Sequence, residues 1–180
     1  MEDLSRPDDG FESWYRTAHR QVVAALTAYS GDLGASAEAT DEAFSRACAV
    51  WPSVRLMASP TGWTFVVARN VLRRNKRRFR LEGKRMGAEA RVRSIEQSDD
   101  AETVHAALEV ADALRSLTKR QRDIVVLHHG LDLSQDVVAA LLGISRSTVA
   151  TTLMDTRHIL RRNADADVST RQPPKGGQRA

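Results

Sequence analysis

The stretch LGISRSTVATTLMDTRHILRR, from Leu142 to Arg162, decides how the second half of this 180-residue chain folds. It follows the short apolar segment LSQDVVAALLG, in which Ser134 is placed to cap a helix and Gly143 permits the positive φ of a tight turn. Ser145 is placed to cap a second, longer helix. A short helix, a glycine turn and a longer helix that begins with Ser and Thr are typical of a DNA-binding helix-turn-helix. The sequence therefore predicts this motif.

The apolar residues of the two helices support the same interpretation. On the first helix the inward side is formed by Val137, Val138 and Leu141. Ile144 is expected to fill the angle between the helices, and Val149 and Leu153 to pack the second helix inward. The opposite side is then exposed, and it carries Arg146, Ser147, Ala150, Thr151 and Met154.

Composition indicates a soluble helical protein with one large domain or two small ones. Apolar residues make up 42% of the chain and charged residues 28%, which is ordinary for a globular protein. The single cysteine, Cys48, excludes an intramolecular disulfide and a cysteine-built zinc site, and fits a reducing cytoplasm. The acidic N-terminus does not resemble a signal peptide, and no apolar run approaches the roughly 20 residues of a membrane span. We therefore expect a cytoplasmic protein without membrane insertion.

The positive charge is concentrated in one segment. The net charge is only +4, but between residues 69 and 85 a single acid, Glu82, stands among nine basic residues. They are Arg69, Arg73, Arg74, Lys76, Arg77, Arg78, Arg80, Lys84 and Arg85. Such a block attracts phosphates electrostatically. Nucleic-acid binding is favoured over the alternatives, a solvated helix face or a basic linker.

The apolar periodicity predicts an all-α fold with two small helical domains. The first, residues 10–80, contains a helix that ends at Gly31, a second helix that Pro52 terminates, a loop, and a third helix capped by Ser59 with Pro60 at its first position. Residues 81–101 read as a flexible linker or as a continuation of the preceding helix, two alternatives that the pattern leaves open. The second domain spans residues 102–163, and residues 164–180 are expected to form a disordered tail.

Both predicted domains resemble one bacterial family. The second domain resembles region 4 of extracytoplasmic-function sigma factors, which belong to the sigma-70 family. The resemblance lies in LTKRQRDIVVLHHGLDLSQDVVAALLGISRSTV and the helix after it. The first domain resembles region 2 of the same family in two segments, EATDEAFSRACAVW and SPTGWTFVVARNVLRRNKRR. The second segment has the family's P-x-x-W-x-x-x-x-A-x-N pattern and basic end. The two regions occur in the family's order and cover most of residues 10–162.

The resemblance implies an alternative sigma factor that binds core RNA polymerase, through β′ and β-flap contacts, and directs it to promoter DNA. The implied β′-binding residues are Asp41, Glu42, Phe44 and Arg46. The loop from Ser53 to Ser59 would capture an unstacked −10 base, and the −10 contacts would come from Arg55, Arg69, Asn70, Arg73, Arg74 and Arg77. The −35 contacts would come from Ser145, Arg146, Ser147, Thr148, Thr151 and Arg157. An anti-sigma partner is a further expectation from the resemblance alone.

Several positions depart from the family pattern. Ala150, Thr152 and Asp155 stand where relatives carry basic residues, so the −35 affinity and its salt dependence should be reduced. Ala39 and Thr40 replace larger apolar residues, which weakens the expected β′ contact. A sigma-like regulator that acts mainly through protein contacts is therefore the alternative. A third interpretation, a free-standing helix-turn-helix regulator, leaves the region 2 resemblance unexplained.

The remaining motifs favour structural roles over binding or catalytic ones. Trp51, Trp63 and Phe65 are expected in the core more than on a base-stacking surface. Adjacent His128 and His129 lack a third ligand at a suitable spacing, which argues against zinc. No phosphate loop, catalytic triad or metal-ligand pattern is present in the sequence, so neither an enzyme nor a cofactor is expected.

Overall fold

The computed structural model describes residues 10–82 and 101–171, and those residues form helices joined by short turns. No strand occurs in these two ranges, which confirms the predicted all-α class. The helices are α1 (Phe11–Ser30), α2 (Leu33–Ala49), α3 (Trp51–Val54), α4 (Pro60–Glu82), α5 (Ala101–Ala113), α6 (Lys119–Val125), α7 (Gln135–Leu142) and α8 (Arg146–Arg171). A 3-10 turn (Leu114–Ser116) follows α5, and a π-helical turn (Val126–Gly130) follows α6.

The first two helices end and begin at residues suited to those positions. Gly31 adopts a left-handed φ of 68° and its amide donates to the Thr27 carbonyl oxygen at 2.8 Å, which terminates α1 as predicted. The next residue, Asp32, caps α2 by accepting a hydrogen bond from the Ala35 amide at 2.9 Å. Because this connection is so short, α2 folds back and packs along α1.

The loop predicted after Pro52 is two residues longer than the loop in the structure. Ser53 and Val54 belong to the short helix α3, which begins at Trp51. Pro52 lies in its first turn, where the missing N–H removes no intrahelical hydrogen bond, so proline is compatible with the helix there. The cap predicted for the next helix is confirmed, because the Gly62 amide donates to Ser59 Oγ at 2.9 Å.

One hydrophobic core includes side chains from both halves of the chain. We call residues 10–82 the N-terminal block and residues 101–171 the C-terminal block. Phe44 and Phe65 of the first block belong to the same buried cluster as Leu114, Ile124 and Val149 of the second. Helix α5 also packs along α1. The division into domains stays a prediction, and residues 83–100 of the predicted linker lie outside the described residues.

Two predicted boundaries differ from the observed helices. Helix α4 continues through Glu82, beyond residue 80, and α8 continues to Arg171, beyond residue 163. The sequence after residue 163 contains no glycine or proline before Pro173, so nothing local interrupts the last helix. Residues 164–171 of the predicted disordered tail are thus helical, and residues 172–180 lie outside the described residues.

Within residues 10–82 and 101–171, no single helix combines the length and the apolar character of a membrane span. One pair of helices reaches those values when taken together, α7 with the first part of α8, and that pair is bent by 108°.

Candidate nucleic-acid interface

Helices α7 and α8 form the predicted helix-turn-helix. Ser134 Oγ accepts from the Val137 amide at 3.3 Å and caps α7, and Gly143 ends it with a φ of 63°. Ser145 Oγ accepts from the Thr148 amide at 3.1 Å at the start of α8. The bend of 108° between the helices falls in the range of roughly 90–120° typical of the motif. Caps, turn and angle all agree with the sequence-based prediction.

One stripe of α8 is held against the core. Val149 is fully buried, and Leu153 and Leu160 are partly buried against the core cluster. Thr156 is buried as well, and its hydroxyl donates to the carbonyl oxygens of Thr152 and Leu153. These residues follow one another at helical spacing. The opposite face of α8 is consequently left to solvent.

All six residues predicted to contact the −35 element are exposed on or beside that face. Ser145 Oγ lies 2.8 Å from both Ser147 Oγ and Thr148 Oγ1, so the three hydroxyls form a cluster at the start of the helix. Arg146 Nε lies 3.4 Å from Asp136 Oδ1, with both side chains more than two-thirds exposed. An ion pair this exposed contributes little free energy, so Arg146 is easily released to another acceptor.

Further along the same face the charge is low. Met154 is 64% exposed, and Asp155 is exposed beside it. Arg157 is the next exposed basic residue. The centre of α8 therefore presents an apolar side chain and a carboxylate where a basic helix face was expected from the family pattern.

The basic end of α4, residues 69–78, is arranged quite differently. Arg69 is only 7% exposed, and its Nη1 lies 2.9 Å from Asp123 Oδ2. Arg73 Nη2 lies 3.1 Å from the same oxygen and 3.2 Å from Oδ1. Asp123 belongs to α6, so two arginines of the N-terminal block share one buried carboxylate of the C-terminal block. The sequence gives no sign of this role of Asp123, because a pair 50 or more residues apart leaves no periodic signal.

Tyr29 extends this contact. Its hydroxyl accepts from Arg73 Nε at 3.1 Å, and its carbonyl oxygen accepts from Arg122 Nη1 at 3.0 Å. Both guanidinium carbons lie near its ring, at 5.5 and 5.6 Å from the centroid. Burial, and then the charge of Asp123, raise the pKa of Tyr29. Burial lowers the pKa of Arg73, but Tyr29 and Asp123 together raise it above its ordinary value.

The other residues predicted to contact the −10 element are exposed. They are Arg55, Asn70, Arg74 and Arg77. Asn70 Oδ1 accepts from Arg69 at 3.2 Å, and Arg74 forms an ion pair with Glu42 at 2.7 Å. The predicted set therefore divides in two, with Arg69 and Arg73 held against Asp123 and the rest facing solvent.

The predicted polymerase contact on α2 needs one correction. Phe44 is 2% exposed and its ring packs against Trp14 and Tyr15, so it supports the core and cannot present a surface. Asp41 lies 2.8 Å from His19 Nε2, and Glu42 pairs with Arg46. Only the three charged members of the predicted set reach the surface. The helical spacing of Phe44 with Ala43 and Ala47 already indicated an inward side.

The aromatic residues mostly lie in the core, as expected. Trp51 is 5% exposed and Phe65 is fully buried, whereas Trp63 is half-buried. The loop before α4 instead exposes aliphatic side chains, with Leu56 80% exposed and Met57 beside it. These two residues were missed, although an apolar pair inside a polar loop is a recognisable signal of a contact surface.

The two blocks also meet at Gly62 near the start of α4. A Cβ added there would lie 2.7 Å from Leu141 Cδ1 and 2.8 Å from Leu133 Cδ1. Leu141 belongs to α7 and Leu133 to the segment before it. Glycine at this position thus permits the helix-turn-helix to approach α4 closely.

The adjacent histidines have ordinary roles. His128 Nδ1 lies 2.6 Å from the Leu133 carbonyl oxygen, and its ring lies 4.6 Å from that of His129. Burial, then His128 and Arg157, lower the pKa of His129. Among the residues described, no group of three or more metal-binding side chains is close enough to hold an ion.

Comparison with known proteins relates the chain to RNA polymerase sigma factors. Residues 107–158 match the family model described as Sigma-70, region 4, and this range contains the whole of α7 and the first half of α8. These matches support an extracytoplasmic-function sigma factor of the sigma-70 family. It is 27% identical over 150 residues to the ECF RNA polymerase sigma factor SigC of Mycobacterium tuberculosis, an alignment that covers 83% of this chain and 81% of that protein. The Probable RNA polymerase sigma-C factor of Mycobacterium bovis matches to the same extent. The helix-turn-helix lies within the range that matches Sigma-70, region 4.

Proposed function

We propose that this chain is an alternative sigma factor that binds core RNA polymerase and directs transcription initiation at promoters with −35 and −10 elements. The observation that carries the proposal is the capped, exposed N-terminus of α8, held by α7 at the angle of a DNA-binding motif. The similarity to RNA polymerase sigma factors along both blocks supports it. The proposal places the protein in the cytoplasm with RNA polymerase, and assigns it no catalysis of its own and no cofactor.

At the −35 element, Arg146 is the residue proposed to contact a base edge. It stands in the first turn of α8, and its exposed partner Asp136 leaves it available. Bidentate contact of an arginine with guanine discriminates by about 1–3 kcal/mol. The hydroxyls of Ser145, Ser147 and Thr148 suit phosphate oxygens, which position a helix without specifying sequence. Thr151 and Arg157 continue the same face.

At the −10 element, the proposed contacts are the exposed members of the α4 set together with the loop of residues 55–59. Exposed arginines follow the phosphates of a single strand, while Leu56 and Met57 supply apolar surface beside them. Arg69 and Arg73 join this surface only if Asp123 releases them. The charged residues of α2, namely Asp41, Glu42 and Arg46, are proposed to contact β′, and the C-terminal block to contact the β-flap.

Two features favour a second candidate, a sigma-like regulator that acts mainly through protein contacts. Asp155 occupies the centre of the exposed face of α8, and Arg69 and Arg73 already share the carboxylate of Asp123 within the protein. Both features lower the affinity for DNA of the free protein. An anti-sigma partner is proposed for either candidate from the family alone.

The deciding experiment is transcription in vitro with core polymerase and genomic fragments, followed by mapping of transcript starts. The first candidate predicts starts that share a −35/−10 pair. Arg146→Ala should lower transcript yield about tenfold, the equivalent of one lost base contact. Arg179→Ala, which removes the same charge near the C-terminus, should have little effect.

Three outcomes would redirect the proposal. Polymerase binding without a promoter-specific transcript would favour the second candidate. Equal loss of transcript in the two arginine variants would show that α8 does not contact the −35 element through Arg146. Tight operator binding by a dimer of the isolated protein would indicate a free-standing helix-turn-helix regulator.

A further inference from the structure

A cleft of about 620 Å³ lies where the end of α1 meets α4 and α6. Its volume is within the range of sites that enclose small molecules. The side chains that determine its chemistry are Tyr29, Arg73, Lys76, Arg77, Lys119 and Arg122. Five of the six are cationic, and none of the described residues that line the cleft carries a carboxylate.

Most of this positive charge is uncompensated. Of the five cations, Arg73 alone has a carboxylate partner among the described residues, and that partner, Asp123, is shared with Arg69. Arg122 donates to the carbonyl oxygens of Tyr29 and Leu117, which are neutral acceptors. Concentrated like charge of this kind raises the local potential and attracts multivalent anions.

Two of the cations are also held in place. Arg73 and Arg122 both stack near the Tyr29 ring, and each is fixed by hydrogen bonds to that residue. Planar guanidinium groups match phosphate oxygens in pairs. The exposed Lys76, Arg77 and Lys119 surround them as flexible chains. A fixed pair of guanidiniums inside a ring of mobile cations suits an anion with several phosphate groups.

We infer that this cleft binds a small anion carrying two or more linked phosphate groups. The finite cleft, bounded by three helices, fits a short phosphate chain better than a continuous nucleic-acid strand. Three of the cations come from α4 and two from α6, so the anion bridges the two blocks. It also occupies Arg73 and Arg77. Insofar as the proposed function assigns those residues to −10 DNA, which is the part of this inference that rests on it, the anion competes with the promoter.

Calorimetric titration of the full chain with sodium tripolyphosphate, at fixed ionic strength of about 0.15 M to screen weak surface charges, tests the site directly. The expected result is saturable binding of one anion per chain. Lys76→Gln combined with Lys119→Gln should weaken the binding at least tenfold. Both lysines are exposed and form no ion pair among the described residues, so the variant keeps its fold, which a circular dichroism melt checks.

The matched control is Arg161→Gln combined with Arg162→Gln, which removes the same charge from an exposed part of α8. It should retain wild-type affinity. Equal weakening by the two double variants, or the absence of saturation, would overturn the inference, since either result means that only net charge attracts the anion.

Two further ligands identify what is recognised. Adenosine triphosphate should bind within a few-fold of tripolyphosphate, because the phosphate chain is the part that the cations contact. Binding of a single-stranded oligonucleotide without binding of either small anion would overturn the inference in favour of a nucleic-acid track. None of these titrations uses polymerase or a promoter, so a failed transcription assay leaves the result for the cleft unaffected.

Discussion

The basic end of α4 and the exposed face of α8 are the two surfaces proposed to bind DNA, and they are opposite in kind. The first has a dense positive charge, but its two innermost arginines are held by Asp123. The second is fully accessible, but its centre carries Met154 and Asp155. The α4 surface therefore has much positive charge that is partly inaccessible to DNA, and the α8 surface is accessible but has little positive charge.

This difference shows that charge counted along the sequence does not measure the charge offered to a ligand. Arg69 and Arg73 contribute to the basic block of the sequence but share a carboxylate that lies 50 or more positions away. Conversely, the six residues at the start and along the face of α8 that are predicted to contact the −35 element are all exposed. We therefore expect the packing of the two blocks to limit how much of the α4 charge is available to DNA. Four experiments examine the contacts and charges behind this comparison.

The largest effect is expected for Asp123→Asn. Removing the carboxylate leaves Arg69 buried without a counter-charge, and breaking a buried ion pair in this way costs about 3–5 kcal/mol. Urea denaturation should show a loss in the free energy of unfolding of about that size. The control is Asp112→Asn, whose partner Arg115 is equally exposed, and it should lose less than about 1 kcal/mol. Similar losses in both variants would mean that the Asp123 ion pairs do not hold the blocks together.

Gly62→Leu should separate the blocks at a different point. The new side chain meets Leu133 and Leu141, and overpacking of this kind costs about 1–3 kcal/mol unless the helices move apart. Spin labels on the exposed Cys48 and on His158→Cys report the separation by electron paramagnetic resonance.

The expected result is a longer and broader distance distribution than in the parent labelled protein. Gly130→Leu is the matched control, because a Cβ there meets only Val126 at 3.5 Å, an ordinary contact distance. An unchanged distance in the Gly62 variant would show that α7 can retain its contact with α4 without a glycine.

A smaller effect is expected on α8 itself. Asp155→Arg replaces a repelling charge with an attracting one on the exposed face, so the affinity for random-sequence duplex DNA should rise about fivefold and the salt slope should steepen by about 1. Fluorescence anisotropy over a salt series measures both. Glu109→Arg makes the same charge change on α5, away from that face. If it raises affinity equally, net charge and not the α8 face controls binding.

The smallest effect concerns His129. Because its pKa is lowered in the fold by burial, His128 and Arg157, the unfolded chain takes up the proton more readily. Its contribution is complete above the unfolded pKa of about 6.5 and is lost as the pH falls through the folded value. His129→Gln should reduce the loss of stability between pH 7.5 and pH 5.5 by a few tenths of a kcal/mol, since the ring is partly screened by solvent.

Urea denaturation at the two pH values provides that measurement. A steeper loss at low pH in the His129 variant would contradict the sign of the effect.

Much of the fold was predictable because the decisive signals are local. Gly31 and Gly143 adopt the left-handed conformation that helix ends require, and Ser59, Ser134 and Ser145 cap the helices that follow them. Capping depends on residues only three positions apart, so the sequence carries that information directly. The ends of α4 and α8 have no glycine or proline cap at the predicted positions. Both helices continue further along the chain than predicted.

The candidate site was predictable only in part. Exposure of the six α8 residues follows from helical spacing, since the buried stripe of Val149, Leu153 and Thr156 fixes the opposite face. Phe44 was misassigned because a resemblance transfers roles along a motif without regard to which side chains point inward. The contact of Asp123 with Arg69 and Arg73 and the cationic cleft were not predicted, because each requires side chains from both blocks to meet.

By itself, the sequence determined the capped and glycine-terminated helix ends, the helix-turn-helix and the resemblance to a family, since short-range patterns of apolar residues, caps and turns carry all three. Only the tertiary structure decided which cations are free. The packing of α6 against α4 brings Asp123 to Arg69 and Arg73 and leaves Lys76, Arg77 and Lys119 facing the cleft. Electrostatic partners are chosen by distance in space, and distance in space between segments 50 residues apart is a property of the whole fold.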